Sequence, residues 1–140
     1  MAQPCWQHLE HGADIGVRGC ADSLPEAFAQ AALALTALIT EPAAIVEREA
    51  VRIDCREADP ELLLYDWLNA LVYAMATRGL LFGRFQVSIE ADHLQATAYG
   101  EAVDRQRHRP AVEVKGATMT GLQVRPATPG GWIVECIVDV

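Results

Sequence analysis

Two short segments, one near the start of the chain and one at its end, carry residue types suited to binding a hard cation. Residues 11–16 read HGADIG, and residues 137–140 read IVDV. If the two segments lie side by side, the side chains of Asp14 and Asp139 and the terminal carboxylate of Val140 form a cluster of negative charges. Such a cluster is unfavourable by itself and favourable around a cation. The pattern therefore predicts a divalent-cation site at these three residues.

The oxygen-rich character of this predicted site indicates which ions it would accept. Carboxylates are hard ligands, so calcium is the expected ion, with magnesium, manganese or zinc as alternatives. Zinc would require an imidazole from His8 or His11. His11 is the better candidate for a ligand or active participant, because it lies three residues from Asp14.

Simpler structural roles are open for the same residues. Asp14 could be a turn or cap aspartate, and Asp139 could form a salt bridge with Arg18 or Lys115, since a carboxylate near a core needs a positive partner or a metal. Lys115 is the only lysine in the chain. A single lysine suits recognition of phosphate or carboxylate as a compact charge, and an ordinary charge at a strand end is the alternative.

A second polar group lies in the segment that leads towards Lys115. Glu101 and Asp104 are followed by His108, and two acids with a histidine could act as a general acid–base group. No nucleophile is evident nearby. Residues 105–109 read RQRHR, a basic stretch in a chain whose net charge is −8. This charge argues against bulk binding of nucleic acid, so the basic stretch suits a protein partner or is a solvated loop.

Two amphipathic helices, over residues 23–40 and 59–78, are predicted by their capping residues and apolar spacing. Ser23 is followed by proline and glutamate, Asp59 is followed by proline, and Gly79 closes the second apolar stripe. Alternating apolar residues predict strands before and after the helices, over residues 6–10, 15–20, 45–55, 85–89, 94–99, 111–115, 122–125 and 132–138. We therefore expect an α+β fold with a mostly antiparallel or mixed sheet.

Length and composition indicate one domain over residues 1–140, because the chain is long enough to bury a core and shows no linker or repeat. No export leader and no apolar run long enough for a membrane span is apparent, so we expect a cytoplasmic protein without a membrane partner. The four cysteines, Cys5, Cys20, Cys55 and Cys136, have no regular spacing. We expect reduced, buried thiols, with a site shared between Cys5 or Cys20 and the nearby histidines as the alternative.

Taken in order, these segments resemble the archease family over nearly the whole chain. The resemblance is carried by residues 11–16, 25–28, 31–35 and 63–73, by Gly100 and Glu101 with Asp104 and His108, and by residues 114–115 and 139–140. It implies an accessory protein rather than an enzyme. Archeases activate a GTP-dependent RNA ligase that joins 3′-phosphate or 2′,3′-cyclic-phosphate ends to 5′-hydroxyl ends in tRNA splicing and RNA repair.

The resemblance also implies roles for individual residues. Asp14, Asp139 and Val140 stand where the family binds a divalent cation, and Lys115 stands where the family has a lysine important for activation. His11, Glu101, Asp104 and His108 are further candidates for activation or partner contact. The expected partner is the ligase, whose guanylylation and repeated turnover the chain would promote. RNA or GTP would be contacted only through the ligase complex.

The chain also departs from the family pattern, and other function classes are open. Ala13 replaces a common threonine, and Met119 and Thr120 stand where the family often has tyrosine and histidine. A metal-dependent phosphoester hydrolase using Asp14 and Asp139 is the alternative from the enzyme class. A structural module whose acidic residues form internal salt bridges is the third hypothesis.

Overall fold

The chain folds into eight strands, three helices and a short 3-10 turn, as seen in a computed structural model that describes residues 3–140. Residues 1 and 2 of the predicted domain lie outside this range. The strands are β1 (Cys5–His11), β2 (Asp14–Ala21), β3 (Glu49–Arg56), β4 (Leu80–Glu90), β5 (His93–Ala102), β6 (Gly116–Ala117), β7 (Gln123–Pro126) and β8 (Trp132–Asp139). The helices are α1 (Leu24–Ile39), α2 (Pro60–Arg78) and α3 (Arg105–His108), and the 3-10 turn is Pro42–Ala44.

Both long helices begin and end at the residues that capping chemistry predicts. The Ser23 hydroxyl accepts a hydrogen bond from the Glu26 N–H at 3.3 Å, and the Asp59 carboxylate accepts one from the Glu61 N–H at 2.9 Å. Gly79 ends α2 in the left-handed conformation with φ +63°, which glycine adopts without a steric penalty. The predicted helices over residues 23–40 and 59–78 are therefore confirmed. None of the helices within residues 3–140 is both long and apolar enough to cross a bilayer.

The strands form two antiparallel sheets, which confirms the predicted α+β fold class. The first sheet has the order β1-β2-β8-β6, with β7 also pairing with β8, and the second has the order β3-β5-β4. β2 and β8 come from opposite ends of the chain, whereas β4 and β5 form a local hairpin. The first sheet therefore holds together segments that are remote in sequence.

The helices and both sheets share one hydrophobic core, centred on the fully buried Trp67 of α2. Its indole N–H donates a hydrogen bond to the Phe28 carbonyl of α1 at 3.0 Å, which satisfies the only polar atom of the buried ring. Its ring also meets Phe85 of the second sheet edge to face, with 5.9 Å between ring centroids. One side chain thus connects α1, α2 and the second sheet.

The strand predicted over residues 111–115 is wrong, because this segment is irregular and pairing begins only at β6. Its backbone donors bond to two different elements. The Ala111 N–H donates to the Ile39 carbonyl at 2.8 Å, and the Lys115 N–H donates to the Asp139 carbonyl at 2.7 Å. Only Val114 of this segment is buried, and Val112 is exposed, so the alternation of apolar residues marks neither a strand nor a buried face.

Three smaller differences concern the ends of elements. β3 begins at Glu49 rather than Ile45, because the Ile45 N–H still closes the 3-10 turn by donating to the Pro42 carbonyl at 3.1 Å. The β4–β5 turn lies one residue earlier than expected, with Ala91 at φ +53°. The basic loop over residues 105–109 contains the one-turn helix α3.

Close packing of α1 on β2 depends on Gly19, and we predict that Gly19→Ala lowers stability. A Cβ at this position would collide with the backbone of Ala27 and Ala31. Because these are helix backbone atoms that cannot rotate away, we expect the free energy of unfolding to fall by about 2–3 kcal/mol in urea denaturation. In Gly130→Ala, where no atom lies within 4 Å of the added Cβ, the change should stay within about 0.5 kcal/mol. Equal losses in the two variants would contradict the packing described here.

Candidate functional site

The turn between β1 and β2 places Asp14 at the start of an inner strand. His11 and Asp14 are paired across a two-residue turn of Gly12 and Ala13. Gly12 has φ +61°, and a two-residue hairpin turn favours glycine at its first central position. The HGAD segment is therefore a tight turn that fixes where Asp14 enters the sheet.

Pairing between β2 and β8 brings the two ends of the chain together. Ile15 pairs with Val138, so the same register sets Asp14 across from Asp139 at the next position. On the other side of β8, Gly116 pairs with Asp139, and the Lys115 N–H bonds to the Asp139 carbonyl at 2.7 Å. One row across the end of the first sheet thus contains residues from both termini and from the segment before β6.

The carboxylates of Asp14 and Asp139 lie on the face of the first sheet opposite α1. Ile15 and Val138 share the face that is packed against the core, where Val138 is 1% exposed. Because successive side chains on a strand point to opposite faces, the preceding and following residues point away from the core. Asp14, Asp139, Val140 and Lys115 are all exposed. We call these four residues the acidic edge, although Lys115 contributes the one positive charge.

The salt bridge considered for Asp139 is not formed within residues 3–140. Arg18 is instead hydrogen-bonded to Glu135 and to Gln7, each at 3.2 Å. No side-chain hydrogen bond or ion pair with another residue in 3–140 involves Asp14, Asp139 or Lys115. In that part of the chain no three His, Cys, Asp or Glu side chains are arranged as a metal-binding group. A cation at the acidic edge would therefore use the Val140 carboxylate or water together with the two aspartates.

The two histidines of β1 point to different faces of the sheet, which separates their roles. His8 pairs with the buried Val17, and its Nε2 lies 2.8 Å from the Ala34 carbonyl of α1. This places His8 in a helix contact and away from the acidic edge. His11, paired with Asp14, stays on the same face as the aspartates and is exposed.

The predicted acid–base group around Glu101 is a buried ion network. Glu101 is 2% exposed and accepts hydrogen bonds from Arg107 at 2.6 Å and from the Val46 N–H at 2.8 Å, and Arg48 lies 3.4 Å away. His108 Nε2 lies 3.0 Å from the second oxygen. The hydrogen bond from Arg107 is the largest of several causes that hold the pKa of Glu101 well below its usual range.

The hydrogen bonds of His108 determine its tautomer. The Asp104 N–H donates to Nδ1 at 2.8 Å, so Nδ1 is the acceptor nitrogen and Nε2–H donates to Glu101. A histidine that is 3% exposed, with both ring nitrogens satisfied, is not free to transfer protons. Its carbonyl also accepts a hydrogen bond from the Thr40 hydroxyl at 2.6 Å. Glu101 and His108 therefore hold α3 against the end of α1, while the exposed Asp104 caps α3.

Asn69 is a positioning residue that sequence reasoning did not single out. Its side-chain amide accepts a hydrogen bond from the Ala117 N–H at 2.9 Å and donates to the Ala117 carbonyl at 3.3 Å. These two bonds fix β6, and so the backbone next to Lys115, against α2. The available signal was a polar residue within the buried stripe of α2, between Leu68 and Leu71.

Comparison with known proteins identifies the family of this chain. The sequence model of the archease protein family (MTH1598/TM1083) matches residues 6–140. The archease of Pyrococcus furiosus is 38% identical over 139 residues, covering 96% of this chain and 98% of that protein. This chain belongs to the archease family. The archease of Sulfolobus acidocaldarius is 34% identical over 137 residues, covering 96% of this chain and 98% of that protein.

A solved structure supports the same assignment at the level of the fold. The solution structure of Methanobacterium thermoautotrophicum protein 1598 matches with a TM-score of 0.84 at 30% identity, covering 96% of this chain and 98% of that one. The predicted resemblance to the archeases is therefore confirmed. Archeases are accessory proteins rather than enzymes, which agrees with the expectation for this chain.

The buried ion network generates a prediction for stability against pH. Because the pKa of Glu101 is lower in the folded chain than its ordinary value of 4.5, the network stabilises the fold above that pH. This contribution is lost as the pH falls further and the carboxylate is protonated. We expect the slope of unfolding free energy against pH, measured by urea denaturation between about pH 4 and pH 2, to be smaller in Glu101→Gln.

The matched control for this measurement is Glu90→Gln. Glu90 is exposed at the end of β4 and forms no ion pair with another residue in 3–140, so its removal should leave the wild-type slope unchanged. A slope that is the same in Glu101→Gln as in the wild type would show that the network does not couple protonation to folding.

Proposed function

We propose that this archease-family chain binds a divalent cation at the acidic edge and activates a GTP-dependent RNA ligase. The ligase would join 3′-phosphate or 2′,3′-cyclic-phosphate ends to 5′-hydroxyl ends. The chain would promote its guanylylation and multiple turnover in tRNA splicing and RNA repair. The observation that carries the proposal is the register of β2, β8 and β6, which brings Asp14, Asp139 and Lys115 to one exposed edge.

The charge arrangement at the acidic edge supports a bound cation. No ion pair within residues 3–140 involves Asp14, Asp139 or the Val140 carboxylate, so no basic side chain in that range neutralises them. Their hard oxygen atoms fit calcium, with magnesium and manganese as alternatives. Zinc fits less well, because His8 bonds to α1 and only His11 is on the same face. A bound divalent cation would supply neutralising charge and coordination positions for oxygen atoms of a partner.

Lys115 is well placed to meet an anionic group at the same edge. Its backbone is fixed by the hydrogen bond from the Lys115 N–H to the Asp139 carbonyl and by the hydrogen bond from the nearby Ala117 N–H to the Asn69 side chain. Its side chain is exposed. A rigid backbone with a free ammonium suits contact with phosphate or a ligase carboxylate. Asp104 and His11 are exposed and available for partner contact, while Glu101 and His108 would act indirectly by positioning the segment that leads to Lys115.

The exposed position of the acidic edge favours an accessory role over hydrolysis. A cleft of about 800 Å³ is lined by residues of α2, β4 and the 110–114 segment, and a smaller one of about 260 Å³ lies on the second sheet. Neither includes Asp14 or Asp139. An enzyme site for a small phosphoester would be expected in a concave pocket, whereas an exposed edge suits docking onto another protein.

The net charge of the chain indicates the character of the partner surface. At −8, the chain is attracted to basic proteins and repelled by naked RNA. The proposed ligase contact would therefore be basic, and RNA and GTP would be met only within the complex. We place this activity in the cytoplasm.

The cation site is tested by removing one ligand at a time. In Asp139→Asn, and in a chain with one alanine added after Val140, we expect the affinity for calcium or manganese, measured by calorimetry, to fall by about 10–100-fold. Guanylylation of the ligase with GTP and manganese should fall in parallel. Glu90→Gln, an exposed carboxylate of the second sheet, is the matched control and should behave as the wild type.

Three outcomes would contradict this proposal. Unchanged guanylylation on adding the wild-type chain would remove the activator role. Phosphoester turnover by the chain without ligase, lost in Asp139→Asn, would favour the hydrolase alternative. Absence of any binding of calcium, magnesium, manganese or zinc would favour the structural module.

The role of Lys115 is tested separately from that of the cation. We predict that Lys115→Met lowers ligase activation by at least about tenfold, the loss expected when one hydrogen bond to a charged group is removed. Cation affinity should not fall, because removing a positive charge favours a bound cation. Arg52→Met, which removes an exposed cation from the second sheet, is the matched control. Equal activation by Lys115→Met and wild type would exclude a role for this side chain.

A further inference from the structure

Two of the four cysteines face each other across neighbouring strands. Cys5 of β1 pairs directly with Cys20 of β2, and both side chains are partly exposed. They lie on the sheet face opposite α1, in the same hairpin that carries Asp14. Directly opposed residues in an antiparallel pair have Cα atoms about 4.5–5.5 Å apart, and disulfides bridge Cα separations of about 4.4–6.8 Å. The Cα separation typical of such a pair therefore falls within the range that a disulfide bridges.

The two thiols already interact in the reduced chain. Burial, followed by a hydrogen bond with the Cys5 thiol, raises the pKa of Cys20 to about 11. Cys5 and Cys20 are neighbours because they are directly paired across the two strands and share one face of the sheet. The raised pKa also means that Cys20 is mostly protonated near neutral pH, which limits the rate of its reactions but not the geometry.

The other two cysteines serve as an internal contrast. Cys55 pairs with Leu94, and Cys136 pairs with Val17, so neither has a thiol across the strand. Cys136 is also buried, at 1% exposure, and burial raises the pKa of its thiol to about 12. The expectation of a buried thiol holds for Cys136, whereas Cys5, Cys20 and Cys55 are partly exposed.

We propose that Cys5 and Cys20 form a reversible intramolecular disulfide by exchange with a low-molecular-weight disulfide, and so constitute an oxidation site in the β1–β2 hairpin. The Cys5 thiolate attacks one sulfur of the small disulfide, forming a mixed disulfide and releasing one small thiolate. The Cys20 thiolate then attacks the Cys5 sulfur, forming the intramolecular bond and releasing the second small thiolate. Two protein thiols are oxidised, the small disulfide is reduced to two thiols, and the protein protons pass through solvent to the released thiolates.

The order of attack follows from the positions of the strands. β1 is an edge strand, and Cys5 is its first residue, so a small molecule approaches it from the open side. Cys20 lies on β2, which is covered by β1 on one side and β8 on the other. The completed bond would fasten the edge strand to the inner strand at the end of the hairpin remote from Asp14. This inference does not depend on the proposed activation of a ligase.

The experiment treats the folded full-length chain with oxidised glutathione, followed by acid quench, alkylation, digestion and mass spectrometry. We expect one linked product, Cys5 to Cys20, with Cys55 and Cys136 alkylated after unfolding. In Cys20→Ser the reaction should stop at the glutathione adduct on Cys5, which should live at least about tenfold longer than in the wild type. Cys55→Ser is the matched control and should form the linked product as the wild type does.

The pH dependence gives a second readout that needs no variant. Below a Cys20 pKa of about 11, the thiolate fraction rises tenfold for each unit of pH. Closure of the mixed disulfide should therefore accelerate by about tenfold per unit between about pH 7 and pH 9. A wild-type adduct on Cys5 that persists as it does in Cys20→Ser would overturn the proposal. So would linkage between two chains, or linkage of Cys5 to Cys55 or Cys136 in the folded chain.

Discussion

The antiparallel pairing of β2 with β8 is the interaction on which the rest of the molecule depends. Arg18 and Glu135, which meet on this pair, are 117 positions apart in the sequence. Pairing buries Val17 and Cys136 against the helices on one face and places Asp14 across from Asp139 at its end. Burial of the apolar face thus fixes the backbone positions from which the two aspartates extend. The core stabilises the acidic edge, rather than the reverse.

Much of the fold could be predicted from local chemistry. Ser23, Asp59 and Gly79 specify helix ends through backbone hydrogen bonds and a left-handed residue, so α1 and α2 were assigned correctly. The juxtaposition of Asp14 and Asp139 could also be anticipated, because both flank strand-like apolar runs. Alternation failed over residues 111–115, where only Val114 is buried and the N–H groups bond to separate elements. The spacing of apolar residues does not report where the backbone donors go.

The parts of the site that could not be predicted depend on contacts between remote residues. Glu101, Asp104 and His108 together are a candidate general acid–base group in the sequence, but in the fold Glu101 accepts its shortest hydrogen bond from Arg107 and another from the N–H of residue 46. A buried carboxylate needs such donors, and only the tertiary structure shows which residues provide them. Asn69 was overlooked for the same reason, since its amide acts on β6 through two backbone bonds. Position in the sequence identified reactive groups, and their burial determined which of them are structural.

The strand order has a consequence for how the chain reaches this state. The second sheet is built from one contiguous stretch, β3 to β5, whereas β8 must pair with β2 on one side and with β6 and β7 on the other after most of the polypeptide is available. Pairings between distant residues form late, because long loops must close first. Until then β2 presents a row of unpaired backbone groups, which is a template for other chains. The side of β2 that pairs with β8 in the folded chain is therefore where a partly folded chain is most exposed to self-association.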